Sequence, residues 1–238
     1  MLLSLFLIDC AAGLYLFLPL VGRRNAGVKF YRLILIISGV LALLAAVSHP
    51  RDLRYADASI VALTALVYLV LRYPKRLIFK LSSALLGLAY LGTSVLSYHA
   101  AIRPPHLAWS IAGALASVAL LGSVNLAMLL GHWYLVVRGM SIDPLKRLTH
   151  ATLATAIAKV LLVLIAVAFA PAILHDLFFW MRAGWGLLIP LLLYPMVWGT
   201  VRIRSTMAAT GILYVDVVAV VIGEVLGGWL GRVVHMPM

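Results

Sequence analysis

Acidic residues are nearly missing from this chain. Six Asp and one Glu stand against nineteen Lys and Arg in 238 residues, and charged residues of both signs make up only 11%. A soluble domain runs nearer a quarter charged, so an ordinary water-soluble fold is excluded. Cysteine is represented by Cys10 alone, which rules out an intrachain disulfide and leaves the redox compartment unread. The start MLLSLFLIDC has no basic residues ahead of its apolar run, and Asp9 precedes the cysteine where a lipoprotein signal carries a small residue. An uncleaved first span is expected. The chain has no Gly-rich phosphate loop, Gly-x-Ser-x-Gly elbow, His-Glu-x-x-His or Cys-x-x-Cys. Neither a dedicated metal site nor an independent activity on a soluble substrate is expected from it. The ~10-residue alternating segments of a membrane β-barrel are missing as well.

What remains is apolar. Hydrophobic residues make up 65% and the mean hydropathy is +1.11. Runs long enough to cross a ~30 Å hydrocarbon core recur along the chain. They predict an all-α, polytopic integral membrane helix bundle of about eight transmembrane helices, one transmembrane domain over 1–238. The spans fall near 2–21, 28–47, 57–73, 77–98, 107–136, 152–174, 184–201 and 207–230. The fifth is the longest, and its 30 residues must tilt or project into the interface. Asp143-Pro144 reads as the cap and first residue of the sixth helix. Pro190 and Pro195 predict a kinked seventh.

The net charge of +12 does not point to nucleic acid, because the basic residues sit in short clusters between apolar runs. Odd-numbered links hold thirteen Lys and Arg, and the even links and C-terminal end hold five. By the positive-inside rule both termini lie outside. The expected partners are the lipid bilayer and other membrane subunits, in a bacterial-type inner membrane if the source is prokaryotic.

Charges inside spans are expensive and seldom face lipid. Counting at 1.5 Å per residue, Asp9 and Glu224 lie at one depth from the outer surface. Lys159 and Asp216 lie at one depth from the inner surface, matched for an ion pair. Asn125 sits mid-span in the fifth helix. Ala219, Gly223, Gly227 and Gly231 form a four-residue ladder that lets a neighbour helix approach closely. The leading expectation is an ion- or proton-handling membrane protein, either a small transporter or a membrane subunit of an energy-transducing complex. Asp9, Glu224, Asp216, Lys159 and Asn125 form its polar path.

A second expectation rests on histidines at helix ends. His132 with His150, or His49 with His99, would hold haem b or a quinone. A third is a structural or assembly subunit whose polar residues lock helices together. Asp52 and Asp57, flanking Arg51 and Arg54, form a weaker candidate for a divalent ion.

Overall fold

The computed structural model describes residues 1–49, 51–73, 77–137 and 139–238, and the side chains of 24 and 51–53 also stand outside that description. The Asp52 carboxylate and the loop positions Lys75, Arg76 and Arg138 therefore lie outside the described residues.

The chain is entirely helical among the described residues. Helices α1 (Leu2–Val21), α2 (Arg23–Ser48), α3 (Arg51–Val70), α4 (Leu77–Ile102), α5 (Leu107–Val136) and α6 (Asp143–Phe169) follow in order. A short 3-10 turn at Pro171–His175 leads into α7 (Leu177–Ala183). A π-turn over Gly184–Leu188 joins α7 to α8 (Ile189–Arg202) as one rod, and α9 (Thr206–Val234) closes the bundle. Eight rods result. Seven are long and apolar enough to cross a membrane among the described residues, so this is a multi-pass membrane protein. The exception, α3, has the length but carries Arg51, Asp52, Arg54 and Asp57 in its first two turns.

Local chemistry explains the helix ends. Gly27 adopts φ +77° inside α2, a conformation glycine takes without the clash a Cβ would bring, so the basic start of α2 is offset from its apolar span. The side chain that contacts the start of α6 is Ser141, not Asp143 as expected. Asp143 is already helical, its amide donating to Ser141 Oγ at 3.3 Å and its carboxylate accepting from that hydroxyl at 2.7 Å. The rod that the sequence placed at 184–201 begins seven residues earlier, where the Asp176 carboxylate accepts from the Phe178 amide at 2.8 Å.

Two four-helix rings with the same packing pattern build the bundle. In the first, α1 packs on α2, α2 on α3, α3 on α4, and α4 returns to α1. In the second, α5, α6, the α7–α8 rod and α9 close in the same way. The rings meet chiefly through their first helices, α1 and α5, whose most apolar stretches are two-thirds buried. At that seam Gly13 of α1 lies directly on the backbone of Gly122 in α5, with no room for a Cβ on either. The outward faces are apolar, as with Val47, Leu69, Leu88, Leu164, Leu192 and Val218. That inside-out surface suits lipid.

A buried charge cluster at the seam between the rings

Glu224 of α9 accepts from two cations on two other helices. Arg182 Nη2 of α7 lies 2.9 Å from its Oε1, and Lys159 Nζ of α6 lies 3.1 Å from its Oε2. Lys159 also donates to Ser117 Oγ of α5 at 2.8 Å. All four side chains are buried, Arg182 and Lys159 essentially completely. Charges so far from water persist only when paired and hydrogen-bonded, and one carboxylate here serves both.

The sequence around Arg182 is what allows this. Proline at 190 has no N–H to continue an α-helical ladder, and just before it the Ile189 amide reaches five residues back to the Gly184 carbonyl. This π-turn sets Gly186 against the backbone of Gly223 in α9. A Cβ on Gly186, Gly223 or Gly227 would run into the Arg182 guanidinium. The glycine ladder of α9 thus provides the flat bed on which a cation lies. Farther along, Gly231 approaches the Met236 carbonyl and Ile102, and Ala219 is fully buried. Arg182 Nε and Nη1 have no hydrogen-bond partner among the described residues.

Asp9 of α1 stands beside this cluster with a different environment. Its Oδ1 accepts from Ser94 Oγ of α4 at 2.5 Å, and no cation pairs with it among the described residues. Asp9 and Glu224 line one cavity of about 280 Å³, together with Ser117 and Tyr98. Leu2, Leu3, Phe6, Val225 and Trp229 form its apolar rim between α1 and α9. Met238 also lines it, as does Leu2, so both chain ends lie at this end of the bundle.

The remaining sequence candidates fall elsewhere. Lys159 does not pair with Asp216; it pairs with Glu224. Asp216 is 3% exposed and its Oδ1 has no partner among the described residues. Asn125 Nδ2 donates to the Leu121 carbonyl of its own helix at 2.8 Å, a local bond rather than a bridge across a helix interface. His132 is exposed. His150 is exposed too, lying against Trp198 with ring centres 4.4 Å apart and hydrogen-bonding Tyr194 at 3.1 Å. His49 is buried and its Nδ1 bonds the Asp57 carboxylate. His99 Nδ1 instead meets Ser110 Oγ at 2.8 Å. Among the described residues no hydrogen bond or ring contact joins His132 to His150 or His49 to His99. Among the described residues no group of three or more His, Cys, Asp and Glu is placed to hold a metal ion.

Sequence reasoning missed Arg182 and left Ser94, Tyr98 and Ser117 without a role at this site. Arg182 was counted as a link residue. Its signal is the apolar sequence on both sides, FFWM before and AGWGLL after.

No protein-family model, no curated protein sequence and no solved structure matches this chain.

Proposed function

We propose that this protein handles protons or ions across the membrane, with the cavity between Asp9 and Glu224 as the entry to its polar path. One observation carries the reading: two carboxyls line the same cavity, yet both buried cations are committed to Glu224. Asp9 is left with a single hydroxyl partner and open space before it. Lys159, Arg182 and Glu224 together carry one net positive charge, which an ionised Asp9 balances. When Asp9 takes up a proton, that balance shifts, and the cavity in front of it has room for water or an anion to answer the change. Buried ionisable groups that face a cavity mark proton and ion pathways in membrane proteins.

Glu224, one of the residues that the sequence puts on the polar path, is better read as the fixed centre of the lock. Asp216 and Asn125 lie toward the opposite end of the bundle and would continue the path there. Arg182 is buried in the bundle, so the even-numbered links and the C-terminal end together keep only four basic residues. The stronger asymmetry favours both termini, and this cavity, on the outer side. Whether the protein works alone or as a subunit of a larger membrane complex follows from whether purified protein suffices for activity.

The test is proton flux into proteoliposomes under an imposed membrane potential, read by an internal pH dye. Wild-type vesicles should acidify faster than protein-free vesicles, and Asp9→Asn should return the rate to the protein-free level with its melting profile retained. Flux in Asp9→Asn equal to wild type, or wild-type flux no faster than protein-free vesicles, overturns the reading.

A further inference from the structure

We infer that Asp216 forms a binding site for a single sodium ion in the core of the second ring. Asp216 lines a cavity of about 10 Å³ between α6, α8 and α9, with Thr149, Thr152 and Tyr194. That is room for about one water-sized particle. The remaining walls are Pro190, Val197 and Leu213, and proline supplies no N–H.

The polar groups around this cavity are nearly all acceptors. Thr149 donates its hydroxyl hydrogen to the Leu145 carbonyl at 2.8 Å, and Thr152 donates to the Leu148 carbonyl at 3.0 Å. Each threonine oxygen therefore presents only lone pairs to the cavity. The Tyr194 hydroxyl is engaged with His150. Asp216 adds a carboxylate whose Oδ1 has no partner among the described residues, on a side chain 3% exposed.

Three occupants would satisfy an acceptor-lined site: a proton on the acid, a water, or a cation. A proton alone needs an acceptor within hydrogen-bond reach, and neither threonine oxygen bonds Asp216. A water spans the gap but leaves an ionised Asp216 without a countercharge, since Lys159 and Arg182 both pair with Glu224. A monovalent cation spans the gap and neutralises the carboxylate. Hard cations take oxygen ligands of this kind. A divalent ion would leave one charge uncompensated, and a cavity of this size favours a small ion.

As an ion for coupling, sodium rests on the ion-handling reading above; as a bound ion it does not. Binding is therefore measured without flux, on purified full-length protein in detergent. The probes are ²²Na⁺ retention and thermal melting in NaCl against choline chloride at equal ionic strength. Wild type should retain ²²Na⁺ displaceable by unlabelled NaCl and melt higher in sodium than in choline. Asp216→Asn should lose both, and Thr152→Val, which keeps the shape and removes one oxygen, should need more sodium for the same stabilisation. No retained ²²Na⁺ and no sodium-dependent shift in wild type would overturn the proposal. An unaltered sodium response in Thr152→Val would overturn the ligand set, even if Asp216→Asn fails to fold. Absence of sodium binding beside an intact Asp9-dependent flux would sink this site alone.

Discussion

The two rings share one packing pattern and are filled in opposite ways. The first, α1 to α4, holds an open pocket of about 490 Å³ walled by residues such as Tyr15, Tyr31, Leu35, Val67 and Phe79. Some of its polar groups bond one another, while Ser38 Oγ, Ser97 Oγ and Asp57 Oδ1 have no hydrogen-bond partner among the described residues. The Tyr15 hydroxyl donates to the Ser83 carbonyl at 2.9 Å, and Thr64 and Tyr90 share a hydroxyl contact at 3.2 Å. Lys80 reaches the cavity only from an exposed position. The second ring closes on glycine instead, with Gly186 on Gly223 and Gly131 against Thr210. It holds the Lys159, Arg182 and Glu224 cluster where the first ring holds space. Charge sits where backbones are closest, because a buried ion pair persists only with short, well-aligned contacts. The walls of the first ring's pocket are mainly apolar, and an apolar wall beside open space loses only packing.

Mutations should separate the two rings by the size of their effect. The largest loss is expected from Glu224→Ala, which strands two buried cations at once. Breaking a buried pair costs about 3–5 kcal/mol, so the variant should fail to yield a monodisperse protein or should melt far below wild type. A wild-type melting profile would contradict the lock. In the open ring, Tyr15→Phe removes the hydroxyl's contacts with the Ser83 carbonyl and hydroxyl, beside a pocket that already tolerates space. Inter-helix bonds in membranes average about 0.6 kcal/mol, so a melting shift comparable to that of Glu224→Ala would erase the contrast between the rings.

Much of this architecture was legible in the sequence, for a physical reason. The hydrocarbon core fixes the length of each span, so hydropathy located eight rods and gave α5 its exact limits of Leu107–Val136. The common depth of Asp9 and Glu224 also followed from counting, and the two line one cavity. Counting failed for Lys159. The sequence placed its helix at 152–174, whereas α6 runs Asp143–Phe169. Its outer end lies five residues earlier than expected, which brings the lysine about 7 Å closer to that end. It then stands ten residues from the end of α6, as Glu224 stands ten from the end of α9. Arg182 was lost for a related reason. Hydropathy rules place an arginine near a span end in the link, and only its partner on another helix reveals that it faces inward. Depth along a helix is written in the sequence; which neighbour a face meets is not.

The smallest stability effect and the most direct test belong to the same residue. In Asp9→Asn the amide keeps an acceptor for Ser94, so melting should change little. Carboxyl-region infrared difference spectra on acidifying purified protein would show which acid takes up a proton. The account predicts that a band from a newly protonated carboxyl appears in wild type and is lost in Asp9→Asn. A band that survives in Asp9→Asn would place the exchanging proton on another acid and contradict the central claim.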